Sequence, residues 1–194
     1  PAALRIPNAA NGSLPLHCAI TRYDTSEDII ELLLGSDPSV ANVRDAKGLT
    51  PLDLLWTRYV NPEDSRCQQV KVRARLIRRT MEGLMLSRSW SALEKDQNGK
   101  SKLITDEFRT FWDLFSKFLR AVYHGFSLPI HAVLTAMSHP DPLLVQFVCG
   151  TYPSHLLLRD PKTGSVPLHI LARKAHTQRR RIDMLRLLFI LLDA

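Results

Sequence analysis

The sequence predicts an all-helical (all-α) chain of about four helix-turn-helix units that stack into a repeat solenoid. The main observation is a motif in which a glycine precedes a proline by three or four positions and apolar residues follow. Its copies lie at residues 12–19, 48–55, 125–133 and 164–172. A second observation is a proline-led phrase that begins 10 or 11 positions before three of these glycines. Agreement in two separate features indicates repetition of one unit, a long turn followed by two helices.

Each copy of the motif has the composition of a helix start. Glycine permits a tight turn, and proline at the first helical position fixes φ where no amide donor is lost. The key positions of the four helix starts are Pro15, His17, Pro51, Asp53, Pro129, His131, Pro167 and His169. Stacked helices lie roughly 10 Å apart, whereas zinc-binding nitrogens lie ~2.0–2.1 Å from the metal. The histidines are therefore predicted to be structural, and no metal site is expected.

The first unit shows how the two helices of a unit are delimited. Its inner helix is predicted over residues 15–21, and its outer helix runs to Leu34. Thr25 or Ser26 is suited to cap the outer helix, in which apolar residues recur at helical spacing. Gly35 is predicted to stop it.

The most regular turn, at residues 45–52, resembles the ankyrin-repeat turn, in which an aspartate and a glycine precede threonine, proline and leucine. The family's outer-helix pattern is matched twice, by Ile30, Leu33 and Leu34 and by Met184, Leu187 and Leu188. Motif prolines are separated by 36 and 38 residues in two places, close to the family's ~33-residue period. The resemblance covers residues 1–58 and 125–194, within one ankyrin-repeat domain spanning residues 1–194. It implies a scaffold that binds proteins.

The sequence departs from the ankyrin pattern at two motif positions. The motif threonine is present only as Thr50, and Leu14, Leu128 and Val166 replace it in the other units. Asp53 replaces the motif histidine. These departures are expected to change the hydrogen bonds of the family's hydroxyl and imidazole groups, not the fold.

The second and third motif prolines are 78 positions apart, which is enough for two degenerate units or for one unit with an insertion. An insertion at residues 61–104, within the second repeat, is favoured because no further turn motif occurs there. A helix capped by Thr105 is predicted over residues 106–123 as the outer helix of the second unit. The face that this helix turns to the stack is predicted to carry Phe111, Trp112, Phe115 and Leu119.

The insertion is predicted to contain a basic amphipathic helix, which starts at Asp64 or Ser65 and ends near Leu86. Four cations on its polar side follow helical spacing. They form a basic ridge of Lys71, Arg75, Arg78 and Arg79. An exposed polar loop is predicted at residues 94–102, and a second basic cluster comprises Arg173, Lys174 and residues 179–181.

Composition limits the classes of protein to which the chain can belong. The net charge is +7, with 26 Lys and Arg against 19 Asp and Glu, which permits an acidic partner without requiring one. The longest apolar run, residues 187–192, is far short of the roughly 20 residues of a membrane-spanning helix. Three cysteines with no Cys-x-x-Cys pair favour a reducing intracellular compartment, cytoplasmic or nuclear.

No motif in the sequence predicts catalysis or a cofactor. Residues 94–105 match a calcium-binding loop only in part, because Thr105 stands where the bidentate glutamate is needed. Glu94 occupies the first glycine position of a phosphate-binding loop. Neither a nucleophile elbow nor a defined acid–base pair of carboxylates is recognisable. The chain is therefore not expected to be an enzyme.

A stacked repeat domain exposes turn tips and inner helices on one concave surface, where a protein partner is expected to bind. The candidate tip positions are Asn8, Asn11, Asp45, Lys47, Lys162 and Thr163. The alternative is electrostatic binding of nucleic acid or an anionic membrane by the basic clusters. A solvated helix face explains the ridge better, because no aromatic residue interrupts it as a base-stacking platform requires.

Both ends of the sequence predict that it is part of a longer array. Residues 1–12 align with the turn phrases that follow outer helices elsewhere. The helix predicted around residues 184–192 is apolar on most of its circumference, whereas a terminal repeat needs a polar outer face. A further unit is therefore expected beyond it.

Overall fold

The computed structural model describes residues 2–62, 67–88, 104–123, 128–177 and 181–193. These residues contain nine α-helices and no strand, which confirms the all-helical prediction. The helices are α1 (Pro15–Thr21), α2 (Glu27–Ser36), α3 (Pro51–Tyr59), α4 (Gln68–Ser87), α5 (Asp106–Val122), α6 (Pro129–Ala136), α7 (Pro142–Thr151), α8 (Pro167–Thr177) and α9 (Arg181–Asp193). Three short 3-10 helices span Ala2–Arg5, Pro38–Asn42 and Pro153–Leu156.

The helix starts follow the motif. Gly12, Gly48 and Gly164 have φ of +64°, +77° and +66°, the left-handed region that favours glycine. The backbone N–H of Ala46 donates to the carbonyl of Asn11 at 3.1 Å. The turns of the first two units therefore lie side by side.

The inner helices form two pairs. Helix α1 packs on α3, and α6 packs on α8, while the outer helices α2, α7 and α9 pack against the inner helices of their own units. The first and second units thus form one pair, and the third and fourth units form another. Each pair follows the helix-turn-helix arrangement expected from the repeats.

The junction between the two pairs differs from the contacts within them. Arg44, in the turn of the second unit, donates to the carbonyl of Ala136 at the C-terminal end of α6. The N–H of Ser138, just beyond α6, donates to Asp53 in the first turn of α3 at 2.9 Å. The start of α3 therefore meets the end of α6, whereas the start of α1 lies beside the start of α3. These contacts do not confirm a continuous four-unit solenoid.

Helix α5 forms the aromatic centre of the core. Thr105 caps it by accepting from the N–H of Phe108 at 3.2 Å. It lies between α2, α3, α4 and α6, with a Lys117–Glu31 ion pair of 2.6 Å towards α2. Of the predicted buried face, Phe111, Phe115 and Leu119 are buried and Trp112 is half-buried.

Helix α4 packs against α3, α5 and α7 through a buried face that includes Ile77, Met81 and Leu84. The basic helix therefore docks on the rest of the chain. The assignment of residues 61–104 as an insertion stays a prediction. The proposed polar loop at residues 94–102 lies outside the described residues.

The predicted start of the basic helix was wrong, because α4 begins at Gln68. The predicted end of α2 was also wrong. Gly35 lies inside the last turn of α2 and does not end it, because the helix continues to Ser36. The N–H of Asp37 then donates to the carbonyl of Leu33 and closes the helix at 3.4 Å.

Candidate interaction surfaces

The turn tips of the first and second units form one polar row. Asn8 and Asn11 are exposed, and their side-chain oxygens accept from the N–H groups of Ala10 and Ser13 at 2.9 and 3.0 Å. Lys47 is exposed in the neighbouring turn. The structure therefore brings together three of the predicted tip residues on a fixed backbone.

Asp45 and Asp160 shape the turns that carry the tips. Asp45 Oδ1 accepts from the N–H groups of Lys47 and Leu49, both at 2.9 Å. Asp160 likewise accepts from the N–H of Lys162 at 2.8 Å and from the hydroxyl of Thr163 at 2.7 Å. The predicted contact residue Asp45 is thus engaged within its own turn, and the turn of the fourth unit exposes Lys162 and Thr163.

Two buried histidines connect α1 and α6 to the units that follow them. His17 Nδ1 accepts from the N–H of Leu14 at 3.2 Å, so that Nε2 carries the proton and donates to the carbonyl of Val43 at 3.1 Å. His131 Nε2 lies 3.2 Å from the carbonyl of Ser165. Both side chains are fully buried, whereas His169 is exposed. The imidazole at this position acts as a link between units.

Asp53, at the same motif position in α3, has the opposite hydrogen-bonding character. Its Oδ2 accepts from the N–H of Thr50 at 2.9 Å, which completes a capping box. Its Oδ1 accepts from the N–H of Ser138, whose hydroxyl lies 2.7 Å from the carbonyl of Gly48. The second unit, in which aspartate replaces the motif histidine, is thus also the unit that contacts the next one differently. A carboxylate accepts a hydrogen bond where imidazole Nε2 donates one.

We expect the family residue to be unfavourable at this position. Asp53→His should lower the free energy of unfolding by about 1–3 kcal/mol, because the N–H of Ser138 loses its acceptor. Urea denaturation measures the difference, with Asp53→Asn as the control that keeps one acceptor oxygen. A variant Asp53→His as stable as the wild type would contradict this role.

The buried histidines predict an acid-sensitive fold. Burial lowers the pKa of His17 and of His131, so the unfolded chain binds more protons than the folded one below its own histidine pKa of about 6.5. The free energy of unfolding should be retained above that pH and should fall below it. Urea midpoints between pH 8 and pH 5 should decline less in the double variant His17→Asn, His131→Asn. A decline as steep as that of the wild type would remove these imidazoles as the cause, and His169→Asn serves as the exposed control.

Arg58 is a structural residue that the sequence analysis missed. Its guanidinium is buried and donates to the carbonyls of Ala19, Ile20 and Arg22 at 3.0–3.3 Å and to that of Thr25 at 2.8 Å. It therefore caps the C-terminal end of α1 from α3. The available signal was the single charged residue in the second half of α3, which is otherwise mainly apolar.

The basic ridge is smaller than predicted. Lys71, Arg75 and Arg79 are exposed. Arg78 is half-buried, with Nε 3.2 Å from the carbonyl of Val60 and Nη2 3.3 Å from Asp141 Oδ2. Arg78 therefore connects α4 to the end of α3 and to the start of α7. The exposed part of the basic ridge consists of the other three cations.

Lys174, from the second predicted basic cluster, belongs to an internal contact. Its ammonium donates to the carbonyl of Met137 at the end of α6. Burial lowers the pKa of this amino group to about 8. Residues 179 and 180 lie outside the described part of the chain.

The described residues contain neither a metal-binding cluster nor a membrane-spanning helix. Among them, no three His, Cys, Asp or Glu side chains are grouped so as to hold a metal ion. No described helix combines the length and apolarity that crossing a bilayer requires. Cys18, Cys67 and Cys149 are all described and form no disulfide.

Comparison with known proteins identifies the repeat. The family model "Ankyrin repeat" matches residues 11–45, which contain the first turn, α1, α2 and the following turn phrase. No curated protein and no solved structure matches the chain. The matched segment carries the turn glycine, the proline-started inner helix and the His17 link described above, and this part of the chain is an ankyrin repeat.

Proposed function

We propose that the chain is a non-catalytic protein–protein interaction module whose turn tips contact the partner. The observation that carries this proposal is the row formed by Asn8, Asn11 and Lys47 on two adjoining turns. These side chains are exposed, while the backbone beneath them is fixed by the turn hydrogen bonds and by the Ala46–Asn11 bond. A surface ordered before binding loses little conformational entropy when a partner docks.

The ankyrin family supports a protein partner in general, and the net charge of +7 favours an acidic one. The absence of disulfides among the three cysteines supports a reducing, intracellular setting. The electrostatic alternative, with nucleic acid or anionic lipid as ligand, is weakened because Arg78 is engaged within the fold.

Site-specific photo-crosslinking in cells tests the proposal. The photoreactive residue p-benzoylphenylalanine replaces Asn11 or Lys47 at the tips, and Arg79 on α4, with Leu86 as the exposed control. We expect adducts with a discrete protein from the two tip positions and not from Leu86. Adducts confined to Arg79 that contain nucleic acid or lipid would favour the alternative. No protein adduct from either tip position would reject the proposed binding surface.

A further inference from the structure

A groove between two outer helices is separate from the turn tips. Helices α2 and α5 lie side by side and leave a space of about 540 Å³ that is open to solvent along its outer side. Its lining is mainly apolar and comes from Leu34, Gly35 and Pro38 on one side and from Ala121 on the other. Lys117 and Arg120 lie at its edge with Glu31. A volume of this size can accept one or two large side chains.

The groove owes much of its space to Gly35. A Cβ placed on this residue would meet no atom within 4 Å, and its φ is not in the left-handed region. Glycine weakens a helix relative to alanine or leucine. Neither the backbone conformation nor a close neighbour requires glycine in this turn of α2. The effect of having glycine here is that no side chain fills the floor of the groove.

The edge of the groove carries unbalanced positive charge. Lys117 is paired with Glu31 at 2.6 Å. Arg120 is exposed, and no carboxylate of the described residues pairs with it. Leu32, on the adjoining surface of α2, is 69% exposed. An apolar floor with one available guanidinium complements an apolar side chain that has a carboxylate nearby.

We propose that this groove binds an acidic segment of a protein partner, which places an apolar side chain over Gly35 and a carboxylate against Arg120. The proposal rests on the protein-binding function and gives it a second contact surface. A segment of a protein fits better than an enclosed small molecule because the groove is open to solvent along its outer side. Nucleic acid fits poorly, since a backbone of phosphates needs several cations in a row.

Peptide selection followed by affinity measurement tests the groove. A display library of random 16-residue peptides is selected on the full chain, and the enriched peptides are synthesised with a fluorescent label for anisotropy titration. We expect enriched sequences to contain Leu, Ile, Phe or Met beside Asp or Glu. Gly35→Leu fills the groove and should raise the Kd at least about tenfold. Arg120→Glu should raise it by a similar factor through like-charge repulsion.

Two matched variants control for effects outside the groove. Gly35→Ala adds one methyl group and leaves most of the space, so it should change the Kd by less than about threefold. Arg79→Glu makes the same charge change on α4 and should leave the Kd unchanged. Equal melting temperatures of the wild type, Gly35→Leu and Arg120→Glu establish that folding is intact. If Gly35→Leu does not fold, the comparison of Arg120→Glu with Arg79→Glu decides the outcome.

The groove proposal is overturned if no peptide is enriched, if the enriched peptides lack acidic residues, or if their binding survives both Gly35→Leu and Arg120→Glu. These results concern the groove alone. The interaction function fails separately, when the turn-tip positions give no protein adduct in cells. Peptides that bind away from the groove would reject this site and leave the function standing.

Discussion

Replacement of Phe111 by alanine should lower the free energy of unfolding by about 3–5 kcal/mol. Phe111 is 0% exposed in the middle of α5. Its ring centroid lies 6.2 Å from that of Trp56, 5.8 Å from that of Tyr59 and 5.2 Å from that of Phe115. It therefore joins α5 to α3, and a cavity at this point would separate the second inner helix from the aromatic core.

Urea denaturation followed by circular dichroism measures the effect of Phe111→Ala. Leu32→Ala provides the control, because Leu32 is 69% exposed and its loss should change stability by about 0.5 kcal/mol or less. Similar losses in the two variants would show that α5 is not the centre of the core.

Arg58→Ala should have the second largest effect, a loss of about 3 kcal/mol or more. Hydrogen bonds made by a charged group contribute about 1.5–3 kcal/mol each, and this guanidinium serves four carbonyls around the end of α1. The variant removes the guanidinium donor from these carbonyls, of which only that of Arg22 is shown to keep a second donor, the N–H of Thr25. Arg58→Lys should recover part of the loss, because one ammonium cannot reproduce the planar fork of donors.

The same denaturation experiment includes Arg22→Ala as a matched arginine control. Arg22 forms an ion pair with Asp24 in which both side chains are 71% exposed. Exposed pairs of this kind contribute little, so Arg22→Ala should leave the midpoint nearly unchanged. If Arg58→Ala behaved in the same way, the cap on α1 would be dispensable.

Local features made much of the fold predictable. Gly12 and Pro15 set a turn and a helix start within a few residues of each other, and the prediction of α1 at residues 15–21 is confirmed. The apolar period of residues 106–123 and the cap by Thr105 similarly define α5. Both signals depend on backbone preference and on one buried face, which a sequence displays directly.

The junction between the two pairs was not predictable, because it depends on a hydrogen bond between residues 85 positions apart. Asp53 was the one local signal, since it replaces a donor by an acceptor at a position that faces the next unit. Arg58 was missed for a related reason. The carbonyls that it caps belong to another helix and carry no mark in the sequence.

The interaction surfaces were predictable to different degrees. Turn residues such as Asn11 and Lys47 are exposed, as their position in the motif suggests. The groove was not predictable from the sequence, because α2 and α5 are distant in sequence. Gly35 also lies near the end of an apolar run, where glycine usually indicates a helix end. Asp45 was predicted to contact a partner, but its carboxylate accepts hydrogen bonds from the N–H groups of its own turn.

The division into two pairs changes how a single partner can contact the turn tips. A continuous stack would place all the tips in one row, whereas here the row of Asn8, Asn11 and Lys47 ends where the second unit meets the end of α6. Lys162 and Thr163 then belong to the other pair. A partner that contacts both sets of tips must therefore bridge two rows.

Nuclear Overhauser spectroscopy of the isotope-labelled protein tests this division most directly. Ser138 N lies 2.9 Å from Asp53 Oδ1, and Ser138 Oγ lies 2.7 Å from the carbonyl of Gly48. We predict cross-peaks from the amide proton of Ser138 to the β-protons of Asp53, together with cross-peaks between the turns at Asn11 and Ala46. The result that would contradict the division is the absence of the Ser138–Asp53 cross-peaks, with contacts instead between the start of α3 and the start of α6 at Pro129.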